Sequence, residues 1–314
     1  MKIYHHLPEN KNIFITPAIT IGTFDGVHRG HRKILSALLE VSKKESRDPV
    51  VITFSAHPRK VLQPGAPVKI ITTPEEKINA IYDFGIPNII LLNFTERMAR
   101  MRAIDFYNDV LISKLDAKII VIGYDHAFGN NRVGNYDFLT QLTANTGVEI
   151  IRVEEEDIHS KPISSSWIKR EIEKGNIGKA NSLLGWRYCI SGTVIKGKGR
   201  GRDLGFPTAN IVPVHSDKVV PGDGVYAVRV KLEKDVLKNG ILNIGTNPTF
   251  FEDTRTIEVH ILDFNGIIYD KPITVEFHKR LREEIAFDSK EQLIDQIKRD
   301  RIEAVRLLGG KNDQ

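Results

Sequence analysis

The first 184 residues alternate between short apolar runs and longer stretches whose apolar residues recur every three or four positions. The short runs have the length of buried strands and lie at 18–21, 50–54, 88–93, 118–123 and 149–153. The longer stretches predict a helix that follows residue 30 and further helices over 73–84, 103–115, 136–146 and 164–175. A short strand is also predicted near 13–15. This alternation predicts a parallel sheet with crossover helices.

The pattern changes at residues 183–187. Beyond them, stretches rich in β-branched and aromatic residues predict strands at 188–195, 225–232, 241–244, 256–262 and 273–278, separated by turn residues at 221–224, 238–240 and 265–266. These strands predict an antiparallel barrel. Apolar residues at helical spacing over 289–308 predict a terminal helix, with Ser289 and Gln292 as a capping box. The sequence therefore predicts two domains, 1–184 and 185–314.

The composition, 41% apolar and 27% charged, is typical of a soluble globular protein. Cys189 is the single cysteine, so no intrachain disulfide can form and a reducing cytoplasm is the expected compartment. The chain shows no signal-peptide pattern and no apolar run of membrane-spanning length. A net charge of +5 suits nucleic acid or anionic nucleotides. Because basic and acidic residues are interleaved except around 196–202, we expect no nucleic-acid-binding face.

The first candidate site joins a predicted strand, a glycine turn and a helix start. His28 and His31 are three positions apart, so both rings can point the same way on the first helical turn, and Gly30 lets a nucleotide approach the backbone. A helix N-terminus suits a phosphate. The arrangement indicates phosphoryl or nucleotidyl transfer, which needs positioning and charge stabilisation. A metal-binding pair or two ordinary surface histidines are the alternatives.

Polar residues after other strands should lie near this turn, because ligands of a parallel sheet bind at the carboxyl ends of its strands. His57 follows one predicted strand, and Asp125 follows another in a loop whose glycines are at 123, 129 and 134. Asp125 could hold an adenine or ribose group, and a plain loop is the alternative. Ser164 opens the next helix, where serine is most often a cap.

The second candidate site begins with a glycine-rich cationic segment that could fold over a polyphosphate. It is not a Walker A loop, because Gly199 rather than Ser or Thr follows Lys198. Thr208 and Asn210 alternate on a strand-like segment, so both side chains can face one ligand, and their oxygens suit magnesium. The alternative, a solvated turn, does not account for them. Glu258 lies among apolar strand residues, where an outward-facing carboxylate is the simpler interpretation.

Residues 22–31, Gly-Thr-Phe-Asp-Gly-Val-His-Arg-Gly-His, resemble the signature of the nucleotidylyltransferase superfamily. The Phe-Asp-Gly variant resembles the FMN adenylyltransferase module of bifunctional riboflavin kinase/FAD synthetases. Residues 201–210 are similar to the riboflavin kinase signature, with further matches at 243–249, 256–260 and 280–287. The resemblance covers almost the whole chain. It implies a Rossmann-like α/β nucleotidylyltransferase domain, followed by an antiparallel β-barrel riboflavin kinase domain with a terminal helix.

The resemblance also implies two reactions. The barrel transfers the γ-phosphate of ATP to riboflavin, giving FMN. The N-terminal domain joins FMN to the AMP part of a second ATP, giving FAD and pyrophosphate. Mg²⁺ is the implied metal, with ATP as a substrate. Riboflavin, FMN, FAD and ATP are the implied small-molecule partners, and neither nucleic acid nor a membrane is expected.

Site residues follow from the same resemblance. His28, His31 and Glu258 are the catalytic residues, and Glu258 takes the proton from the flavin ribityl hydroxyl. ATP in the adenylyltransferase is bound by Gly22, Phe24, Gly30, Asp125, Ser164, Ser165 and Lys169. ATP in the kinase is bound by Gly197, Lys198, Gly199, Arg202, Gly205, Thr208 and Asn210, of which Thr208 and Asn210 also hold the metal. Flavin is bound by His57, Asn247, Arg282 and Phe287.

Two positions depart from the family pattern. His126 and Ala127 stand where Phe-Arg is usual, so a phosphate contact from that arginine is missing. Lys169 stands where arginine is usual, and lysine provides a point charge rather than a bidentate fork.

Two other classes of protein remain alternatives. A nucleotidylyltransferase with a different acceptor would use the barrel only for recognition, although Thr208, Asn210 and Glu258 argue against a passive barrel. A basic nucleic-acid-binding protein would bind with a steep salt dependence.

Overall fold

The structure is a computed structural model that describes residues 1–9, 13–158, 160–197, 201, 204–233, 236–249 and 252–309, without the side chains of 247–249 and 252–254. The chain divides into two compact units, Met1–Ser165 and Ser166–Gln314. The domain boundary at 184/185 stays a prediction.

The first unit is built on a six-stranded sheet in which every pairing is parallel. Its strands are β1 (Lys2–Tyr4), β2 (Ala18–Ile21), β3 (Pro49–Phe54), β4 (Asn88–Leu92), β5 (Ile119–Gly123) and β6 (Glu149–Val153). Their order across the sheet is β1-β4-β3-β2-β5-β6. Strands β2 to β5 are buried along their whole length or nearly so, as expected for a sheet covered on both faces. The predicted parallel sheet is confirmed.

Helices cover both faces of this sheet. They are α1 (Arg29–Lys44), α2 (Arg59–Leu62), α3 (Pro74–Asp83), α4 (Glu96–Arg100), α5 (Ala103–Asp105) and α6 (Tyr136–Thr143). The predicted helix at 103–115 continues from α5 as a π-helical segment, Phe106–Ile112. Helix α3 begins with the capping box of Thr73 and Glu76, and Gly85 follows its end. A two-stranded hairpin, β7 (Asp157–Ile158) and β8 (Lys161–Pro162), closes the unit.

The strand expected at 13–15 is wrong. This segment forms a bend in which Phe14 is buried and its ring packs edge-on against Tyr4, 5.3 Å between centroids, while Ile13 and Ile15 are exposed. Phe14 therefore fills the core from a bend, and the first strand of the sheet is β1, which pairs with β4.

The second unit contains a closed antiparallel barrel, as predicted. Helices α7 (Ser165–Glu173) and α8 (Ile177–Leu184) precede it along the chain, and α8 was not expected as a separate element. The strands are β9 (Cys189–Ile195), β10 (Ala209–Pro213), β11 (Gly224–Lys231), β12 (Leu237–Thr249), β13 (Glu252–Ile261) and β14 (Pro272–Arg282). Their order is β10-β13-β12-β11-β14-β9, closed by the pairing of β9 with β10.

The turn expected at 238–240 is also wrong, because β12 runs through these residues. Gly240 pairs with Val228 and Ile261, and a Cβ there would lie 3.2 Å from the carbonyl oxygen of His260. The glycine therefore permits a close approach of strands rather than a turn. The terminal helix α9 (Lys290–Leu308) begins at Ser289, whose side chain accepts from Gln292 N, while the Gln292 side chain accepts from Asp288 N.

Candidate active sites

The turn between β2 and α1 is held in an unusual backbone conformation. Phe24 and Val27 have φ angles of 49° and 37°, and both are buried. Gly26 has a φ of 87°, and a Cβ there would lie 2.9 Å from Ile71 Cδ1. Gly22 packs against the Phe24 ring, which would lie 3.1 Å from an added Cβ. Strained residues of this kind collect at binding sites, where the surrounding structure fixes them.

Asp25 anchors the turn to the segment before α3. Its Oδ1 atom accepts hydrogen bonds from Ile71 N at 2.8 Å and Thr72 N at 3.1 Å. Gly26 N donates to Thr72 Oγ1 at 2.9 Å. Ser165 Oγ donates to the Asp25 carbonyl at 2.9 Å, so the structure brings this predicted site residue to the glycine turn.

The two histidines form a stacked pair at the entrance of α1. Their ring centroids are 3.6 Å apart with planes 19° from parallel, and the edge of the Phe24 ring meets His31 at 5.1 Å. His28 Nδ1 accepts from His31 N and caps the helix. The neutral His28 ring therefore carries its proton on Nε2. A Cβ at Gly30 would lie 3.3 Å from the His28 ring, which accounts for the glycine.

Both imidazoles are neutral at neutral pH. Burial lowers the pKa of His28 to about 4 from 6.5, against the opposing effect of Asp25. Burial also lowers the pKa of His31 well below 6.5, and the charges of His28 and Lys77 lower it further. His31 Nδ1 is buried with no hydrogen-bond partner among the described residues. The two imidazole rings can therefore donate hydrogen bonds to an anion while they are themselves neutral.

Sequence reasoning missed Lys77, which is buried below the turn. Its Nζ atom donates to the carbonyls of Phe54 at 2.7 Å and Thr23 at 3.1 Å. Burial lowers the pKa of Lys77 to about 8 from 10.5, although Asp25 raises it. The sequence signal was available, because Lys77 and Ile81 are four positions apart on the apolar face of α3.

The remaining predicted residues of this site are His57, Asp125, Ser164 and Lys169. His57 and Asp125 follow β3 and β5, which flank β2, so both start from the sheet edge that carries the turn. His57 Nδ1 accepts from Arg59 N at 3.2 Å, and the Asp125 side chain is exposed. Ser164 is exposed, and Lys169 belongs to the second compact unit.

The second site is a cavity of about 710 Å³ in the barrel unit. Its walls include Gly197, Thr208, Asn210, Glu258, Arg282 and Phe287, all of which were predicted as site residues. Glu258 pairs with Asn210 across strands β13 and β10. Its carboxylate accepts from Thr208 Oγ1 at 3.2 Å and from Thr256 Oγ1 at 3.4 Å. Glu258 therefore lines the cavity, on the face of β13 opposite to the buried side chains of Ile257 and Val259.

Sequence reasoning also missed Asp300, a buried carboxylate on α9. It accepts from Arg282 Nε at 3.1 and 3.0 Å, and lies 2.9 Å from Arg282 Nη2. Gln296 Nε2 also donates to it, at 2.9 Å. The Arg282 guanidinium carbon lies 5.8 Å from the centre of the Phe287 ring. Asp300 therefore fixes one cationic group on the cavity wall.

For four predicted residues of the second site, the structure does not describe where the side chain lies. Lys198, Gly199 and Arg202 lie outside the described residues, as does the side chain of Asn247. At Gly197 an added Cβ would lie 2.1 Å from Asn210 Nδ2, so this glycine leaves room for the amide.

Comparison with known proteins matches two parts of the chain to two different families. Residues 11–167 match the family model for FAD synthetase, and residues 184–308 match that for riboflavin kinase. The bifunctional riboflavin kinase/FMN adenylyltransferase of Bacillus subtilis is 35% identical over 308 residues, 96% of this chain and 95% of its own length. That of Buchnera aphidicola subsp. Schizaphis graminum is 37% identical over 310 residues, 98% of each chain.

A solved structure also has this architecture. The crystal structure of a Streptococcus pneumoniae protein described as a macrolide-efflux protein has a TM-score of 0.84 and 32% identity, and the match covers 94% of this chain and 96% of that one. Among the described residues of the present chain, no helix has both the length and the hydropathy needed to cross a membrane. By its family matches and its full-length relatives, the chain belongs to the bifunctional riboflavin kinase/FMN adenylyltransferase family, with the FAD synthetase domain N-terminal and the riboflavin kinase domain C-terminal.

Proposed function

We propose that FMN is adenylylated at the histidine-capped turn and that riboflavin is phosphorylated in the barrel cavity. The observation that carries the first assignment is the stacked pair of neutral imidazoles at the start of α1. The observation that carries the second is the Thr208–Glu258 contact inside a cavity large enough for a ligand.

In the proposed adenylylation, a phosphate oxygen of FMN attacks the α-phosphorus of ATP. The bond from this phosphorus to the bridging oxygen of the β-phosphate breaks, and pyrophosphate leaves. The protein supplies no nucleophile. The Nε2–H of His28, the ring of His31 and the first backbone N–H groups of α1 donate hydrogen bonds to phosphate oxygens as charge develops.

Other residues of the first site position the substrates. Gly22, Phe24 and Gly30 give ATP access to the turn, and Ser164, Ser165 and Lys169 contact its phosphates. Asp125 holds the nucleoside part, and His57 contacts the flavin. Support for Ser165 comes from its hydrogen bond to the Asp25 carbonyl in the glycine turn.

In the proposed kinase reaction, Glu258 accepts the proton of the ribityl hydroxyl as that oxygen attacks the γ-phosphorus of ATP. The bond from this phosphorus to the β,γ-bridging oxygen breaks, and ADP leaves. Residues 197–205 cover the phosphates of ATP. Arg282, Phe287 and Asn247 contact the flavin, and the Asp300 salt bridge supports the placement of Arg282.

The residues of the cavity fit a magnesium ion that accompanies ATP. Thr208 Oγ1 and the Asn210 side-chain oxygen are hard donors, and Mg²⁺ prefers oxygen ligands while it keeps several waters. Both residues line the same cavity as Glu258. When bound, the ion would neutralise charge on the ATP phosphates.

We further propose a cytoplasmic location, because the single cysteine Cys189 suits a reducing compartment. The basic net charge of +5 is assigned to anionic nucleotide substrates rather than to nucleic acid.

Isotope transfer tests the proposed reactions. The full chain is incubated with riboflavin, Mg²⁺ and ATP labelled at either the γ- or the α-phosphorus, and the products are separated by chromatography. Label from the γ-position should enter FMN and then FAD, whereas label from the α-position should enter FAD alone. If FMN forms from riboflavin but no α-label reaches FAD, the acceptor of the first site is a different molecule. If neither flavin nucleotide forms, both assignments fail.

A further inference from the structure

A lysine side chain lies below the glycine turn of the first unit. Lys77 is 6% exposed and sits beside Ile78 and Ile81 on the inner face of α3. Its ammonium donates to the carbonyls of Thr23, in the turn after β2, and Phe54, the last residue of β3. One cation therefore ties together the carboxyl ends of two neighbouring strands.

The packing of α3 does not require a charged side chain at position 77. Burying an ammonium costs free energy unless hydrogen bonds and opposite charge compensate for it. A methionine or leucine would fill the same place on the apolar face of α3 without that cost. The buried ammonium is compensated by two carbonyl oxygens and by the neighbouring Asp25 carboxylate.

The charged and titratable groups around Lys77 come from three elements. Asp25 approaches from the glycine turn, and His31 approaches from α1. On α3 itself, Glu76 accepts from Thr73 N in the capping box. The Lys77 charge lowers the pKa of His31, so the lysine and the histidine pair form one electrostatic group.

We propose that Lys77 is a positioning residue for adenylylation: it fixes the Thr23 and Phe54 carbonyls beside the glycine turn, and its positive charge favours binding of the ATP polyphosphate. This inference rests on the proposed adenylylation site. Lys77 acts through the turn and the histidines, without a direct role in the bond changes.

The proposal gives the reaction a distinctive pH dependence. Burial lowers the pKa of Lys77 to about 8, so its charge is present below this pH and lost above it. Because kcat/KM reports groups in the free enzyme, kcat/KM for ATP in the FMN-to-FAD reaction should fall as the pH rises through about 8. The neutral histidines do not titrate in this range.

Lys77→Met tests the proposal, with Lys44→Met as the matched control because the Lys44 side chain is 79% exposed. At pH 7, Lys77→Met should lower kcat/KM for ATP in FAD formation by about 10²-fold, a loss typical of misplaced catalytic groups. The fall above pH 8 should disappear in this variant. Riboflavin phosphorylation should be unchanged in both variants. A Lys77→Met chain with a lower melting temperature but the wild-type pH profile would show a structural role and overturn the proposal.

Nuclear magnetic resonance of ¹⁵N-labelled histidine gives a readout that needs no catalysis. The pKa of His31 should be higher in Lys77→Met than in the wild type and in Lys44→Met, and an unchanged pKa would contradict the proposal. Should Lys77→Met fail to fold, ¹³C-labelled lysine in the wild type provides the test. One lysine should titrate near pH 8 and shift upward when ATP binds, whereas titration of every lysine above pH 10 would contradict the proposal.

The same measurements separate this inference from the assignment of the site. If His31→Ala retains FAD formation, the proposed site is wrong and the role of Lys77 falls with it, whatever the histidine titration shows. If His31→Ala loses FAD formation while Lys77→Met changes neither the pH profile nor the pKa of His31, the proposal for Lys77 alone is overturned.

Discussion

The histidine pair of the first unit combines a structural and a chemical role. His28 uses Nδ1 to cap α1, so only Nε2 is left to donate toward a ligand. With ring centroids 3.6 Å apart, two imidazolium ions would repel each other, and both pKa values are lowered. The pair is therefore set to bind phosphate as neutral donors, and bound phosphate would favour protonation of one ring.

A third histidine with a lowered pKa, the partly buried His126, predicts how stability depends on pH. Burial lowers the pKa of His126 to about 4 from 6.5, so the unfolded chain binds a proton between these values and the folded chain does not. Stability should therefore be complete above pH 6.5 and fall as the pH drops toward 4. Between pH 7 and pH 5 this histidine should account for at most about 2 kcal/mol of lost stability.

Chemical denaturation at the two pH values, applied to the wild type and to His126→Gln, measures this loss. The variant should lose less stability on acidification than the wild type, whereas His5→Gln, at an exposed position, should behave like the wild type. An equal acid dependence in the wild type and His126→Gln would contradict the prediction.

At the scale of elements, the terminal helix contributes a buried ion pair to the wall of the cavity. The Arg282 and Asp300 side chains are 17% and 6% exposed, so the pair is largely removed from water. Loss of one charge from such a pair leaves the other uncompensated. The helix therefore does more than cover the barrel, because it holds a cation on the wall of the proposed flavin site.

Asp300→Asn should raise the KM for riboflavin by about tenfold, equivalent to about 1.4 kcal/mol, because Arg282 loses its charged partner. FMN adenylylation should be unchanged. Asp295→Asn on the same helix is the control, since the Asp295 side chain is 63% exposed and pairs only with the exposed Lys298 among the contacts described. Steady-state kinetics of both reactions measures the riboflavin KM and the rate of FMN adenylylation. An unaltered riboflavin KM would show that the ion pair only stabilises the helix.

Gly197, at the start of the segment proposed to bind ATP, provides a second prediction for the barrel. In Gly197→Ala the added Cβ would meet the Asn210 amide and displace it. Riboflavin phosphorylation should fall about tenfold or more through a higher KM for magnesium-ATP, while FAD formation from FMN is retained. Gly178→Ala, in α8, meets no atom within 4 Å and should leave both reactions intact. If Gly197→Ala and the wild type have equal kinetics, the proposal that Asn210 is a magnesium ligand is contradicted.

Strong periodicity made most elements predictable from sequence. The buried strands β2 to β5 are continuous apolar runs, and the sequence Thr73-Pro-Glu-Glu predicts the capped start of α3. The failures have physical causes. The apolar residue Phe14 suggested a strand, but it fills the core from a bend. Gly240 suggested a turn, but it lies inside a strand where the backbone of His260 is close. Local sequence does not contain these long-range contacts.

The same reason explains what was missed at the two sites. Lys77 and Asp300 are charged residues on otherwise apolar helix faces, and only the tertiary structure shows which backbone or side chain receives each charge. Glu258 illustrates the opposite case, because the residues alone favoured an ordinary outward-facing carboxylate, whereas the structure shows this carboxylate on the wall of a cavity. Motif resemblance identified that residue where periodicity could not.

At the scale of the whole molecule, the two proposed sites share no residue, although one proposed ATP contact of the adenylylation site, Lys169, belongs to the second unit. The histidine-capped turn and the Lys77 network use residues of the first unit, whereas the cavity with Glu258, Thr208 and Asn210 uses residues of the second. The two activities should therefore be separable by single substitutions in the full chain. The chemistry differs as well, since one site stabilises charge with neutral donors and the other supplies a carboxylate base.

The most direct test assays two full-length variants in two separate reactions, riboflavin to FMN and FMN to FAD. His31→Ala should lower FAD formation by about 10²–10³-fold and leave riboflavin phosphorylation intact, because it removes one donor to the developing charge. Glu258→Gln should lower riboflavin phosphorylation by about 10²–10⁴-fold and leave adenylylation of supplied FMN intact, because it removes only the base. Loss of both activities in either folded variant, or full FAD formation by His31→Ala, would contradict the account.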